Sequence, residues 1–228
     1  MNGPRNKHRR GSVMIEFVLV GALFWVPLIL LMATVGVRLV RAMEVVELVN
    51  DVSQMFARGI DFSTAANQTL LTGTIGATLG LQGNGANMVT GGSTGDLVIV
   101  LSQYFYVNTN DPSCLGCANA GNIVLERRII VGNITLIGTG GSRNSVGSIP
   151  VAALNTTTGT CETADNNLPP STTCQYTNTN VRVSSSSFNT IMTNLPTNAG
   201  GNIGGTVYFV EAYFKSVTGN MTYQRSVD

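Results

Sequence analysis

One uncharged apolar run near the N-terminus constrains this chain more than any other feature. Residues 17–37 contain no acidic, basic or histidine side chain. A transmembrane helix needs about 20 consecutive apolar residues at about 1.5 Å of rise each, so a run of this length predicts one bilayer crossing. The sequence therefore predicts a membrane-anchored protein with most of the chain on one side of the bilayer.

Basic residues flank the run on both sides and predict its orientation. They are Arg5, Lys7, Arg9 and Arg10 before it, and Arg38 and Arg41 after it. Because positive charge accumulates on the cytoplasmic side, we expect the N-terminus in the cytoplasm and the bulk of the chain exported. Removal as an ordinary secretory signal peptide is disfavoured, because the run is too long and no Ala-x-Ala-like site precedes Arg38.

A single carboxylate, Glu16, lies at the start of the apolar run. It follows a glycine by five positions, in Gly11-Ser-Val-Met-Ile-Glu16-Phe17. An ionisable side chain at membrane depth is costly, so it is treated first as a functional residue. The alternative is a chance carboxylate near the membrane surface, whose side chain reaches outward to water.

The segment from Gly11 to Phe17 resembles the prepilin signature, which is a glycine followed by four residues and a glutamate. The Glu-Phe pair and the helix after it are similar to TadE-like proteins of the tight-adherence (Tad, or Flp) pilus system. Three later segments, at 97–100, 123–128 and 207–214, look like strands of longer TadE/TadF-type proteins. The large exported part departs from the very short major Flp pilin, which favours a minor pilin or pseudopilin.

The resemblance implies a processing step and an assembly role, with no catalysis by this chain. A prepilin peptidase would cut between Gly11 and Ser12, and the new N-terminus at Ser12 would be open to methylation. Glu16, with Phe17 beside it, would face the free amine of a neighbouring subunit and fix the subunit register.

The resemblance also implies partners and a location. The partners are the prepilin peptidase, other pilin or pseudopilin subunits and the inner-membrane pilus assembly platform. The chain would span the inner membrane once, with its head in the periplasm or at the cell surface, and would take part in pilus assembly and adhesion.

Two other functions fit the same sequence. An uncleaved single-pass membrane protein with an exported binding or sensor domain would make Gly11 and Glu16 coincidental. A type II secretion pseudopilin would share the processing step. An exported enzyme is disfavoured, because the single histidine, His8, precedes the span and leaves no histidine for a triad or metal site after it. We expect no cofactor and no metal.

Composition argues against a nucleic-acid partner. Charged residues make up 11% of the chain, and the net charge is +1. Residues 1–11 hold four of the 13 basic side chains, so the exported part is slightly acidic and lacks the basic patch that binds nucleic acid.

Four cysteines follow the span, at Cys114, Cys117, Cys161 and Cys174. An even number in an oxidising compartment indicates disulfides, and four cysteines allow three connectivities. Local pairing, Cys114 with Cys117 and Cys161 with Cys174, is favoured, and the crossed pairings stay open.

A long helix and several strands are predicted from residue periodicity. Apolar residues at helical spacing extend one helix over 13–58, with Gly59 as its C-cap. The members of that stripe are Ala42, Val45, Val49, Val52 and Phe56. Short helices are predicted at 65–71 and 188–195, strands at 97–107, 123–131, 206–215 and 221–226, and a strand or strand extension at 134–137.

The predicted fold is α+β, with the long N-terminal helix packed on an antiparallel β-sheet head that carries long polar loops. The expected divisions are a leader at 1–11, the helix at 12–59 and the head at 60–228. Glu211 interrupts an apolar strand. It is either a partly buried contact between heads, through a basic residue such as Arg127 or Arg128, or a solvent-facing carboxylate on the open side of the sheet.

Overall fold

The computed structural model of the 228-residue chain describes the long helix, the sheet and some of the connections between strands. The described residues are 9–83, 92–109, 116–137, 155, 157, 160–161, 174, 176–183, 206–216 and 219–227. The chain divides into two compact units, Met1–Met43 and Glu44–Asp228. Each unit is described by itself below.

The first unit contains the N-terminal part of helix α1, which runs over Arg9–Ala57. Its large apolar side chains are exposed, with Phe17 at 77% and Leu23 at 78%. Pro27 lies inside the helix, where it removes one backbone donor, a loss that transmembrane helices tolerate. Over the described ranges, α1 is the one helix long and apolar enough to cross a membrane, which confirms a candidate single span.

The last turns of α1 open the second unit, and there the apolar side chains are buried. Five of them, none more than 2% exposed, are Val45, Leu48, Val49, Val52 and Phe56. They include four members of the predicted stripe, and Leu48 adds a fifth position at compatible spacing. Helical periodicity therefore identified the buried face of this part of the helix.

Helix α1 ends in a glycine cap. Gly59 has a φ of 85°, a left-handed conformation that glycine reaches without the steric penalty of a Cβ atom. Its N–H donates to the carbonyl of Phe56 at 3.0 Å, and the N–H of Ile60 donates to the carbonyl of Met55 at 3.1 Å. These bonds satisfy carbonyls that the helix end would leave unpaired, and they confirm Gly59 as the predicted terminator.

Four antiparallel strands form one sheet in the order β2-β1-β3-β4. Their bounds are β1 Leu97–Tyr106, β2 Ile123–Gly132, β3 Thr206–Ser216 and β4 Gly219–Val227. In the centre of the sheet, Val100 of β1 pairs with Ile130 of β2 and with Glu211 of β3. The predicted α+β class, with a long apolar N-terminal helix and an antiparallel sheet, is confirmed.

The two faces of the sheet carry different buried clusters. One face joins the last turns of α1 in a single apolar cluster, to which the strands contribute Leu97, Ile99, Leu101, Ile129, Val131, Val210 and Ala212. The opposite face carries two further clusters, one of which contains both cysteines of a disulfide. The sheet is therefore buried on both faces over its central strands, which explains why β1 reads as an almost continuous apolar run.

Residues 134–137 differ from the prediction. The structure forms a 3₁₀ helix over Ile134–Ile137, so the predicted strand or strand extension is wrong. Gly132 leaves the extended conformation with a φ of 104°. The side-chain oxygen of Asn133 then accepts hydrogen bonds from the backbone N–H of Thr135 at 3.0 Å and from its hydroxyl at 2.6 Å. This local turn competes with strand pairing and ends β2.

The remaining connections are described in part. Helix α2, Ala65–Leu70, begins after Thr64, whose hydroxyl accepts from the N–H of Asn67. It matches the predicted short helix within one residue. The helix predicted at 188–195 and most of the loop region at 138–180 lie outside the described residues.

Candidate functional site

The predicted processing and assembly residues lie together in the first turns of α1. The helix begins at Arg9, so Gly11 and Ser12 are already within it. Ser12 and Glu16 are four residues apart, which places them one turn apart along the same side of a helix. Glu16 is exposed, and Phe17 is 77% exposed.

Glu16 is distinguished in this part of the chain by its negative charge. It is the first acidic residue of the sequence, and the next one is Glu44. A carboxylate beside a long apolar run becomes favourable when a cationic group reaches it, because its charge is otherwise expensive in a low-dielectric setting.

One predicted disulfide is present in the second unit. Cys161 and Cys174 form it, with their Cα atoms 5.9 Å apart, and both side chains are buried. They belong to the same cluster as Tyr104, Val181 and Phe209. The bond therefore joins two points of the connection between β2 and β3, and both cysteines pack against sheet residues on the face opposite α1. Cys117 is also disulfide-bonded, and its predicted partner Cys114 lies outside the described residues.

A buried polar cluster on the face opposite α1 was missed by sequence reasoning. The guanidinium of Arg128 donates from Nε to the hydroxyl of Ser102 at 3.2 Å and from Nη2 to the hydroxyl of Tyr104 at 3.0 Å. The hydroxyl of Tyr213 donates to Glu211 Oε1 at 3.0 Å. All five side chains are buried, so their hydrogen bonds offset a large desolvation cost.

The same cluster perturbs the pKa of Tyr104. Burial raises the pKa of its hydroxyl, the charge of Arg128 lowers it, and the carboxylate of Glu211 raises it. The net effect is a pKa above the usual range, so Tyr104 stays protonated.

Glu211 is fully buried, so the alternative of a solvent-facing carboxylate is wrong. Sequence reasoning offered Arg127 or Arg128 as a partner of Glu211 in a contact between heads, but it did not predict the bonds that Arg128 makes within the fold to Ser102 and Tyr104.

A second polar contact joins the end of α1 to the sheet. The guanidinium of Arg127 forms an ion pair with the carboxylate of Asp61, which follows the glycine cap. The hydroxyl of Ser63 donates to the same carboxylate oxygen at 2.7 Å. Burial raises the pKa of Asp61, but hydrogen bonds from Ser63 and the charge of Arg127 outweigh it and hold that pKa below its usual range.

These groups are buried side chains within the α+β body and exposed side chains along α1. Within the ranges that the structure describes, no three His, Cys, Asp or Glu side chains come together as a metal-ligand set. The polar side chains of the buried cluster bond to one another inside the fold. The features that point outward are the exposed apolar half of α1 and the charged residues along it.

Comparisons with protein-family models, curated proteins and solved structures find no match to this chain. The class of the protein therefore follows from the fold and the site alone. Its described residues contain one candidate membrane span near the N-terminus, followed by a disulfide-containing α+β body.

Proposed function

We propose that this chain is a minor pilin or pseudopilin of a tight-adherence pilus, processed after Gly11 and acting by assembly rather than catalysis. The observation that carries the proposal is the position of Glu16. It lies five residues after Gly11, near the start of a helix whose next turns are apolar and exposed. A prepilin peptidase would remove residues 1–11 and leave Ser12 as the new N-terminus, open to methylation.

The physical basis of assembly is a charge pair at low dielectric. Processing creates a positive amine at Ser12, and Glu16 supplies the matching negative charge to a neighbouring subunit. Such a pair adds specificity of register more than net stability, because desolvation cancels much of the attraction. The exposed apolar half of α1 supplies the association surface, and the α+β body forms the exported head with its polar loops.

The proposal orients the chain in the inner membrane with its N-terminus in the cytoplasm. The basic residues before the run outnumber those after it, which supports this topology. A disulfide between Cys161 and Cys174 suits an oxidising compartment beyond that membrane. The partners would be the prepilin peptidase, other pilin or pseudopilin subunits and the assembly platform.

The mature N-terminus is the direct test. We expect intact-mass analysis to show a chain beginning at Ser12 when the cognate prepilin peptidase is co-expressed, and full-length chain when it is absent. Gly11→Ala should block the cut, because the prepilin signature that this segment resembles has a glycine at that bond. Gly21→Ala, a matched control inside the same helix, should leave processing unchanged.

A precursor that keeps its basic leader in the presence of active peptidase would overturn the proposal. The chain would then be an uncleaved single-pass protein with an exported binding or sensor domain. Processing without incorporation into a tight-adherence pilus, but with incorporation into a secretion apparatus, would instead assign it as a type II secretion pseudopilin.

A further inference from the structure

Two arginines lie where the apolar run ends, inside the first unit. Arg38 directly follows residues 17–37, and Arg41 comes three residues later. Arg41 is exposed, and Arg38 is partly exposed. Over the described ranges, neither guanidinium takes part in an ion pair. Both positive charges can therefore be reached by a partner outside the chain.

The length of the run places these arginines at a defined depth in a bilayer. The 21 residues of 17–37 extend about 31 Å at about 1.5 Å of rise each, close to the hydrocarbon thickness of about 30 Å. With the run across the hydrocarbon, Arg38 lies at its edge and Arg41 about 4.5 Å farther out. The headgroup layer adds about 5–7 Å on each side, so both arginines lie within that layer.

The two arginines are neighbours on one side of α1. Residues three positions apart on a helix have Cβ atoms about 5–6 Å apart. The surrounding surface is apolar, since Leu39, Val40 and Met43 are 57%, 55% and 61% exposed. Arginine side chains lay their methylene stems along such a surface and keep the charged end in the polar layer. Two guanidinium groups can therefore converge on one small anion beside the helix.

The chemistry of this layer favours a phosphate group as that anion. A guanidinium donates two parallel hydrogen bonds to a phosphate, a bidentate geometry that an ammonium group cannot reproduce. Two adjacent positive charges also repel the ammonium group of a zwitterionic headgroup. Charge complementarity therefore selects a phospholipid whose headgroup has a phosphate and no cation.

Orientation in the membrane does not account for the pair. In the proposed topology both arginines lie on the exported side, where basic residues oppose the rule that sets orientation. Removal of residues 1–11 would take away the four lysine and arginine side chains before the run and leave Arg38 as the first basic side chain of the mature chain. An anionic headgroup in the exported-side leaflet gives the two arginines a partner that orientation does not.

We propose that Arg38 and Arg41 bind the phosphate of an anionic phospholipid, phosphatidylglycerol, in the leaflet that faces the exported head. The choice of leaflet rests on the proposed function, whereas the site itself rests only on the candidate span and the two arginines. A headgroup bound there holds the end of the apolar run at the hydrocarbon edge. The bound lipid therefore fixes the depth of α1 in the bilayer.

Photo-crosslinking to lipid tests the site in the full-length, unprocessed chain. The chain is reconstituted in vesicles of phosphatidylcholine with a minority of phosphatidylglycerol in both leaflets. A photoreactive residue at position 40, where Val40 is 55% exposed, captures neighbouring lipids, and mass spectrometry counts the two kinds of adduct. We expect phosphatidylglycerol adducts above their share in the vesicle. Arg38→Gln and Arg41→Gln should each lower that enrichment about fivefold, the effect of one basic residue at a membrane surface.

Two matched variants separate a phosphate site from general charge effects. Arg58→Gln removes the same charge at an exposed position of the second unit and should leave the enrichment unchanged. Arg38→Lys combined with Arg41→Lys keeps both charges but loses the bidentate bonds, so the enrichment should fall between that of the native chain and that of the glutamine variants.

Four results would overturn the proposal. Adducts of the native chain in the vesicle ratio would show no selectivity. Full enrichment with the lysine pair, or an equal loss with Arg58→Gln, would show general attraction to a charged surface. Loss of enrichment in inorganic phosphate, but not in chloride of equal ionic strength, would assign the arginines to a free anion.

The result is independent of the processing test. The assay uses no peptidase, and its vesicles have the same composition in both leaflets, so neither cleavage nor orientation affects the adduct ratio. Failure of the lipid site would leave processing at Gly11 untouched. Failed processing would leave the lipid site intact and remove only the assignment of its leaflet.

Discussion

The two halves of helix α1 lie in opposite environments. In the first half Leu39 is 57% exposed, whereas in the second half Leu48 is 1% exposed. Exposed apolar surface costs about 25 cal/mol per Å² in water, so the first half requires hydrocarbon or another apolar surface around it. The second half already has such a surface, supplied by the sheet.

The difference follows from how apolar residues are distributed around the helix. Residues 17–37 are uncharged on every side, which is the pattern of a helix surrounded by apolar material. From residue 42 onward, apolar positions recur at spacings of three and four, and charged residues occupy the other positions. One continuous helix therefore combines a membrane-type segment and an amphipathic segment, with the change near residue 43.

Truncation of one leucine in each half of α1 should give the largest difference in the free energy of unfolding. Leu48→Ala should lower the free energy of unfolding of the α+β body by about 2–5 kcal/mol, because it leaves a cavity in a close-packed core. Leu39→Ala should change it by less than about 0.5 kcal/mol. Urea unfolding in detergent micelles, followed by near-ultraviolet circular dichroism, measures both. Equal effects of the two variants would show that the halves do not differ as described.

Alanine substitution at two glycines should give a smaller difference in the free energy of unfolding. Gly59→Ala should cost about 1 kcal/mol, because Gly59 has a φ of 85° and alanine is strained there. Gly36→Ala should have no such cost, because Gly36 lies inside α1 and an added Cβ would meet nothing within 4 Å. The same unfolding measurement compares them, and a neutral Gly59→Ala would contradict the assigned cap.

The smallest expected effect is at Asp61, and it depends on pH. Its folded-state pKa lies below the ordinary value of 3.8, so its ionised form stabilises the fold above that value, and the contribution is lost as pH falls below it. Asp61→Asn should cost less than about 1 kcal/mol at pH 7, because the pair is partly exposed.

The difference in the free energy of unfolding between Asp61→Asn and the native chain should shrink as pH falls below 3.8. Unfolding of both proteins at about pH 7, 5 and 3, on either side of the ordinary aspartate pKa, measures it. The control is Asp51→Asn, at an exposed site on α1, which removes the same charge without an ion pair to the sheet and should cost less than Asp61→Asn at pH 7. A constant difference for Asp61→Asn across the range would contradict the assignment.

Much of the fold could be predicted because its signals are local. The stripe of Val45, Val49, Val52 and Phe56 predicted the buried face of α1, and alternation with β-branched residues predicted the strands within a few residues. The strand prediction at 134–137 failed because composition favoured a strand, while a side-chain bond from Asn133 stabilised a turn. The Cys161–Cys174 pair was favoured by its short separation.

The buried polar cluster could not be predicted, since its members come from three strands far apart in sequence. Arg127 and Arg128 are adjacent, yet one bonds to Asp61 and the other to Ser102 and Tyr104. Side chains of successive strand residues point to opposite faces, so the strand register decides which arginine meets which partner.

The sequence by itself determined the candidate span, the boundary between the two halves of α1, its glycine cap and the α+β class. Each of these depends on residues close together in the chain, where spacing and backbone preference act directly. Only the tertiary structure decided the strand order β2-β1-β3-β4, the burial of Glu211 and the separate partners of Arg127 and Arg128. Those features depend on long-range pairing, because the free energy of burying a charge is set by what the other strands bring beside it.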